Sequence, residues 1–400
     1  PQDIAKVGAY RYAQDPDFQI LLLGYANENS DTPRVLDLTS WPDTKHFLRE
    51  QLPWLLDASY TKRAHNAAFE WWCLSEAMGL DWAQRVLWLQ QWECSMVHAL
   101  YCGLPAQLGA LGAALKQPED ALKMKEGKAL IAYFCKPCKP TKRNGGRTRN
   151  LPQHDPDKWR LFCKYNGMDV IAERANDRKL APWPVPEEIM QQWREDVEMN
   201  ARGVAVDMAL VKGALACSAL ITEEQTAECK ALTGLANPGS RAQLLGWLHN
   251  RGVEIPGLTK EDVSKALAGG LPSDVRRVLE LRQQLGKTSN TKYETIAASA
   301  GPDHRVRGTL QFYGASRTGR WAGRLLQVQN LPRTYLDHQA EWRSIVKLHD
   351  PEALALLTDN VSDTLSQLIR TALVPGKGCT FVDADFSAIE ARLIAWLAGE

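Results

Sequence analysis

The spacing of hydrophobic residues predicts strands near the start of the chain and helices through its middle. Residues 18–25 form a compact apolar run of strand length, and a polar turn separates them from a second run at 34–38. Apolar positions then recur at helical spacing in residues 126–134, 187–200 and 275–285. Residues 304–312 return to the alternation of a strand, so the pattern predicts a chain that mixes strands and helices.

The end of the chain shows a change of period from strand to helix. Residues 379–386 are apolar and β-branched, interrupted by Asp383 and Asp385, and predict a strand. Ser387 and Glu390 have the spacing of a capping box, followed by one apolar helical face: Ile389, Leu393, Trp396 and Leu397. The two aspartates point to one side of the strand, since strand side chains alternate. A carboxylate there suits a divalent cation, and the alternative is that both aspartates only favour the turn.

Length and composition are those of an ordinary globular protein. The 400 residues, 44% hydrophobic and 24% charged, predict two to three domains. The net charge is +1, so any nucleic-acid surface has to be local. No apolar run reaches the roughly 18 residues of a membrane span, so we expect no membrane partner. The nine cysteines follow no disulfide framework, which indicates a reducing cytoplasm.

Both ends of the sequence predict a fragment. The chain opens at Pro1 without an initiator Met, and it stops at Glu400 inside the predicted last helix. Between them, the Pro-rich residues 181–186 indicate a domain boundary.

Two pairs of polar residues in the first half carry candidate chemistry. Asn66 precedes Glu70 by four positions at a predicted helix start, and Tyr165 precedes Asp169 by four, so the second pair shares one helical face. Each pair alone has an ordinary explanation, a helix cap for the first and a common helical pair for the second.

A basic loop lies between these pairs. Residues 135–153 contain several lysines and arginines and no acid, and their prolines and glycines exclude a regular helix. The stretch is either a solvated loop or a phosphate-contacting surface, with Arg147 as a candidate contact. Cys135 and Cys138 have the spacing of half a zinc site, but no second pair follows at matching spacing.

A Gly-rich stretch with four arginines follows the predicted strand at 304–312. Thr318 and Arg320 belong to its Thr-Gly-Arg sequence, and Gln329 and Asn330 stand in a Gln-Val-Gln-Asn-Leu-Pro sequence. Arginines there suit backbone and phosphate contacts, and the alternative is a plain arginine-rich loop.

Residues 382–392 resemble motif A of family A DNA polymerases, the bacterial DNA polymerase I type. The resemblance implies that Asp385 binds the catalytic metal ions. It implies also that Phe386, Ser387 and Glu390 bind the incoming nucleotide, with Glu390 disfavouring a 2′-hydroxyl. Phe386 stands where the family usually has Tyr.

The Thr-Gly-Arg and Gln-Asn-Leu-Pro segments resemble palm segments of the same family. The resemblance implies that Arg320 lies in the minor groove at the primer end, and that Thr318, Gln329 and Asn330 contact DNA on the same surface. The helices of residues 181–300 resemble the thumb, which grips the primer–template backbone. Lys287 is the implied phosphate contact there.

The two acidic pairs, in their order, resemble motifs II and III of proofreading 3′→5′ exonucleases with four acidic metal ligands and a tyrosine. The resemblance implies that Glu70 and Asp169 bind metal and that Tyr165 orients the attacking water. Asn66 would support the motif II loop beside the DNA. Glu70 replaces the family's Asp, and the Asp-x-Glu pair of motif I, which the family has just upstream, is missing.

The resemblance as a whole predicts an α/β fold in three parts. Residues 1–180 would form an RNase H-like exonuclease domain, 181–300 a helical thumb, and 301–400 the start of an α+β palm. The implied protein is a phage-type, DNA-directed DNA polymerase with a proofreading exonuclease, acting in replication by two-metal nucleotidyl transfer with Mg²⁺, or alternatively Mn²⁺. Its partners would be primer–template DNA and deoxynucleoside triphosphates, in a bacterial or phage-infected cytoplasm.

The fragment alone is expected not to extend primers, because the remaining polymerase ligands would follow Glu400. Three alternatives stay open at this stage. They are a stand-alone 3′→5′ exonuclease with a helical appendage, a non-catalytic DNA-binding module with salt-sensitive binding, and a bacterial repair enzyme. Replisome or processivity partners are possible for such a protein, and the sequence does not identify them.

Overall fold

The computed structural model describes residues 2–28, 30, 32–285, 290–358 and 360–400. The helices in these ranges are α1 (Ile4–Ala13), α2 (Thr44–Glu50), α3 (Ala67–Met78), α4 (Trp82–Leu89), α5 (Ser95–Tyr101), α6 (Leu108–Ala114), α7 (Gly127–Cys135), α8 (Pro156–Leu180), α9 (Glu187–Arg202), α10 (Met208–Thr233), α11 (Arg241–Asn250), α12 (Lys260–Leu267), α13 (Ser273–Leu285), α14 (Thr291–Ser299), α15 (Gln339–Lys347), α16 (Pro351–Leu357), α17 (Val361–Leu368) and α18 (Ile389–Ala398). The strands are β1 (Leu22–Tyr25), β2 (Arg34–Asp37), β3 (Lys62–Ala64), β4 (Trp92–Cys94), β5 (Val204–Val206), β6 (Arg305–Val306), β7 (Leu310–Ala315), β8 (Arg320–Gly323) and β9 (Leu373–Val374). The chain is mainly helical with short strands, which confirms the α/β class in its coarse form.

The described strands form small sheets. β1 and β2 are an antiparallel hairpin, while β3 and β4 are parallel, with Ala64 opposite Cys94. β5 lies between β6 and β9, and β7 pairs with β8. The RNase H-like arrangement of the first part stays a prediction.

Hydrophobic periodicity predicted several of the regular elements. The hairpin of β1 and β2 and the helices α7, α9 and α13 lie where their apolar patterns indicated. Asp207 is the N-cap of α10, and its side chain accepts a hydrogen bond from the Leu210 backbone N–H at 3.2 Å. These elements form where local pattern and burial agree.

The single strand predicted for residues 304–312 is wrong. Gly308 has a φ of +67°, a left-handed conformation that does not continue a strand, and it separates β6 from β7. A Cβ at Gly308 would lie 2.9 Å from the Tyr10 ring, so the backbone also passes too close to α1 for a side chain.

The predicted strand at residues 379–386 and the capping box after it are also wrong. The segment is irregular and exposed, and it pairs with no strand in the described part of the chain. A strand needs partners for its N–H and C=O groups, and an apolar run alone does not supply them. Ala388, with a φ of +53°, precedes α18, and no side chain caps the helix.

Hydrophobic side chains pack into several cores. The first core joins α2, α3, α4 and β4 to α9 and to Phe312 of β7. The second core joins α10 to the group α14 to α17, and the third joins the end of α10 to α11, α12 and α13. Helix α10 thus belongs to two cores, and the predicted domain boundaries stay predictions.

Every described helix is too short or too polar to cross a bilayer.

Candidate functional sites

The parallel pairing of β3 and β4 places His65 beside Ser95. Ala64 lies opposite Cys94, so the next residue of each strand emerges at the same edge. His65 Nδ1 is 3.2 Å from Ser95 Oγ. His65 Nε2 is 2.8 Å from the Ala106 carbonyl oxygen, and Nε2 must carry the hydrogen because a carbonyl only accepts.

Helix α8 presents a ladder of polar side chains to this edge. Tyr165, Asp169 and Glu173 follow one another at intervals of four and therefore share one face. Ser95 Oγ donates to Glu173 Oε1 at 2.9 Å, and Lys123 Nζ donates to Asp169 Oδ2 at 3.1 Å. Hydrogen bonds thus connect this face of α8 both to Ser95, which follows β4, and to Lys123, which precedes α7.

Tyr165 is buried and tightly packed. Its ring stacks on Phe162 with centroids 6.2 Å apart, and Lys123 Nζ lies 5.2 Å from its centroid. A Cβ at Gly127 would lie 2.1 Å from the Tyr165 ring, so only glycine fits there. Burial, followed by the neighbouring Asp169 carboxylate, raises the pKa of the Tyr165 phenol, which keeps it a neutral hydrogen-bond donor.

Glu70 lies in the first turn of α3, after Asn66. Asn66 has a φ of +70° and its side chain makes no capping bond, so the interpretation of this pair as a side-chain cap is wrong. Burial, with the nearby Glu173 charge adding to it, raises the pKa of Glu70 to about 8. Burial also raises the pKa of Glu173 to about 7, while burial lowers the pKa of His65. The interior of this site therefore disfavours charge.

Two carboxylate oxygens in this region lack a hydrogen-bond partner among the described residues. They are Glu70 Oε2 and Asp169 Oδ1, and both are buried. A buried carboxylate oxygen without a donor is costly, and oxygen ligands of this kind suit Mg²⁺ or Mn²⁺. The donor set fits a divalent cation, although no three described His, Cys, Asp or Glu side chains are grouped closely enough to hold one by themselves. That finding also gives no support to a zinc site at Cys135 and Cys138.

Arg147 stabilises the basic loop from within. Its Nε donates to Asn150 Oδ1 at 2.8 Å and its Nη1 donates to the Asn144 carbonyl at 3.1 Å. The Cys138 N–H closes the same loop on the Thr148 carbonyl at 2.8 Å. The guanidinium is half-buried, so its DNA contact stays a prediction.

The second group of candidate residues lies on the surface around β8. Arg320 Nη2 donates to Glu390 Oε1 at 3.4 Å, and both side chains are mainly exposed. Gln329 lies directly over β8, since a Cβ at Gly323 would be 2.0 Å from its amide oxygen. Strand β8 therefore contacts Gln329 at Gly323 and the first turn of α18 at Arg320.

The remaining candidates there are exposed without tight contacts. Thr318 lies in the turn between β7 and β8, where its N–H donates to the Ala315 carbonyl at 3.0 Å. Asn330 Nδ2 donates to Gln327 Oε1 at 3.2 Å. Asp385, Phe386 and Ser387 lie on the irregular exposed segment before α18. Lys287 lies outside the described residues.

Sequence reasoning missed Glu173, Ser95, His65 and Lys123. The interval of four from Asp169 to Glu173 was a usable signal for Glu173, because it extends the helical face that begins at Tyr165. Ser95 and His65 meet only through the parallel register of β3 and β4, and no local pattern reports that register.

Comparison with known proteins finds a relative that is similar along the whole of this chain. No protein-family profile matches the chain. The DNA polymerase of Bacillus phage SP02 is 46% identical over 398 residues, which cover 100% of this chain and 60% of that protein. Among solved structures, the POL domain of Pol1 from M. smegmatis, in complex with DNA primer-template and dNTP, covers 92% of this chain and 55% of its own at 17% identity; its TM-score of 0.49 does not establish a common fold. The chain is thus related over its full length to a phage DNA polymerase, which confirms the relationship to phage-type DNA polymerases that the ordered motifs implied.

Proposed function

We propose that the chain belongs to a family A, template-directed DNA polymerase that also carries a 3′→5′ exonuclease site in an RNase H-like domain, and that it acts in DNA replication. The observation that carries the proposal is the 46% identity to a phage DNA polymerase along 100% of the chain. The chain spans 60% of that relative, so polymerase activity, substrates and partners are part of the proposal.

The exonuclease part rests on the acidic site between α3 and α8. Glu70 and Asp169 would hold Mg²⁺ through their unpartnered oxygens, and such ions activate water and neutralise phosphate charge. Tyr165, kept neutral by burial and fixed by its stacking on Phe162, would orient the attacking water through its phenol. Asn66, exposed beside the site, would meet the DNA strand.

Lys123 has a distinct role in this proposal. Its ammonium group neutralises Asp169 at 3.1 Å and so competes with a cation for the same carboxylate. A phosphate group entering the site would attract this lysine, and the carboxylate would then be free to bind a cation.

The polymerase part rests on the surface around β8. Asp385 would bind Mg²⁺, and Phe386, Ser387 and Glu390 would contact the incoming nucleotide. Arg320, Gln329, Asn330 and Thr318 would contact primer–template DNA, and Arg147 and Lys287 would contact phosphates elsewhere. The ion pair between Arg320 and Glu390 supports this grouping, because it joins the Thr-Gly-Arg strand to the motif A segment.

A primer-degradation assay tests the exonuclease part. The full-length gene product, given a 5′-labelled single strand and Mg²⁺, should shorten it from the 3′ end, and Asp169→Asn should stop the shortening. Undiminished shortening by that variant would remove Asp169 from the site. Shortening without any primer extension in the presence of nucleotides would favour the stand-alone exonuclease, for which the packed acidic site is the supporting observation.

A further inference from the structure

The hairpin that carries Arg320 has little sheet structure to hold it. Among the described strands, β7 and β8 pair only with each other, and their register shifts between Gln311 and Ala315. An isolated two-stranded hairpin is marginally stable in water. Its position must therefore depend on contacts from outside the hairpin.

Helix α9 supplies polar contacts to both strands. Asp196 Oδ1 accepts from the Trp321 indole Nε1 of β8 at 2.8 Å. Asn200 Oδ1 accepts from the Leu310 N–H of β7 at 3.0 Å, and the Asn200 carbonyl accepts from the Gly308 N–H at 3.3 Å. Because Asp196 and Asn200 are one helical turn apart, a single face of α9 holds both strands.

These contacts are buried, which makes them costly to break. Asp196 and Asn200 are each 6% exposed. Burial raises the pKa of Asp196, while donation from Trp321, the Phe312 N–H and Asn200 opposes that rise. A buried carboxylate that loses a donor pays the full desolvation cost of the lost bond, so Trp321 is held firmly by its indole N–H.

Trp321, the donor of this hydrogen bond, is partly exposed to solvent. Trp321 is 46% exposed although its N–H is anchored, and the next residue along β8 towards the turn is the exposed Arg320. Asp196 therefore contacts Trp321, the residue next to Arg320 in β8. It does not itself reach the surface at which Arg320 is proposed to contact DNA.

Helix α9 packs into the first core. Met190, Trp193 and Val197 pack there with Trp71 of α3, and Phe312 of β7 joins the same cluster. The orientation of the hairpin is therefore set by a helix that is built into the N-terminal half of the chain.

We propose that Asp196 is a positioning residue for DNA recognition: by holding the Trp321 indole, it sets the direction in which Arg320 leaves β8 towards the primer–template. This inference rests on the proposed function, in which Arg320 contacts DNA. The competing explanation is that Asp196 only stabilises the fold, and the two differ in whether the effects of Asp196 and Arg320 on DNA binding are coupled.

A double-mutant cycle on DNA affinity separates them. The 400-residue chain is titrated into a fluorescein-labelled primer–template with a recessed 3′ end, without nucleotide, and anisotropy gives the dissociation constant. Arg320→Gln should weaken binding about fivefold or more. Asp196→Ala should weaken it to a similar extent, and adding Arg320→Gln to Asp196→Ala should cause no further loss.

Conservative and control variants sharpen the cycle. Asp196→Asn keeps an oxygen for the Trp321 N–H and should restore most of the affinity and the full effect of Arg320→Gln. Trp321→Phe removes the donor instead of the acceptor and replaces Asp196→Ala in the cycle if that variant does not fold by circular dichroism. Trp183→Phe changes an exposed tryptophan of the Pro-rich segment and should leave affinity unchanged.

Each outcome has a definite meaning. Independent, multiplying losses for Arg320→Gln and Asp196→Ala would overturn the positioning role while leaving the DNA contact of Arg320 intact. An Arg320→Gln variant with wild-type affinity would overturn the proposed DNA contact itself, and the positioning role with it.

Discussion

The acidic site between α3 and α8 and the surface around β8 and α18 carry candidate metal-binding carboxylates in opposite surroundings. Glu70 and Glu173 are enclosed, and burial raises the pKa of each carboxyl. Asp385 and Glu390 are exposed, and Glu390 meets Arg320 in an open ion pair. The first site is built by packing, whereas the second is an exposed surface.

This difference in burial determines how a cation would interact with the carboxyl groups of each site. In the enclosed site, a cation would replace protons on carboxyl groups that burial keeps from ionising. On the exposed surface water already solvates the carboxylates, so a ligand gains little by neutralising them. The sequence motifs do not reveal this contrast, because a motif gives the identity and order of its residues and not their burial.

The largest expected effect separates the sites by activity. Asp169→Asn in the full-length gene product should lower the rate of 3′-end shortening by more than about 100-fold, since loss of a ligand exceeds the cost of losing an outer-shell partner. Gel assays of a labelled single strand measure the rate. The control is Asp157→Asn, an exposed carboxylate on the same helix, which should keep the wild-type rate.

A second prediction tests the burial of the acidic site through pH. The folded-state pKa is raised above the ordinary 4.5 for both Glu70 (about 8) and Glu173 (about 7), so the folded chain holds protons that the unfolded chain releases. Their stabilising contribution is complete below the ordinary pKa and is lost as pH rises through the folded-state values. The melting temperature in metal-free buffer should therefore fall between pH 6.5 and 8 and level off above.

Glu70→Gln should flatten that decline, and Glu188→Gln, at an exposed position of α9, should not. His65, whose pKa is lowered from its ordinary value of 6.5, acts in the opposite direction as pH rises through that value, so its contribution is confined mainly to the lower edge of this window. A wild-type decline identical to that of Glu70→Gln would contradict the enclosed character of the site.

A smaller effect is expected from Lys123. Lys123→Met removes the ammonium that pairs with Asp169, so the Mg²⁺ concentration for half-maximal shortening should fall by up to about fivefold. Lys125→Met is the matched control. An increased requirement for Mg²⁺ would mean that Lys123 assists cation binding instead of competing with it.

The smallest effect should come from the exposed surface. Glu390→Gln breaks an open ion pair and should change the free energy of unfolding by less than about 1 kcal/mol, measured by chemical denaturation. A larger loss would show that α18 is held to β8 more firmly than its exposure indicates, and the contrast between the two sites would weaken.

Sequence patterns predicted the elements whose burial is local. The hairpin of β1 and β2 and the helices α7 and α9 follow directly from apolar spacing, and the candidate residues of α8 follow from intervals of four. The strand at 379–386 failed because β structure depends on a partner that composition does not reveal. Glu173 was accessible from its spacing, whereas the meeting of His65 with Ser95 depends on the register of two distant strands.

The central claim is that primer extension at Asp385 and 3′-end shortening at Asp169 take place at two separate sites of one protein. A single gel assay tests it most directly. The full-length gene product is given a 5′-labelled primer–template and Mg²⁺, with and without deoxynucleoside triphosphates, beside its Asp385→Asn and Asp169→Asn variants. We predict that the wild type extends the primer with nucleotides and shortens it without them, that Asp385→Asn only shortens, and that Asp169→Asn only extends. Loss of both activities in either single variant that remains folded would contradict the account.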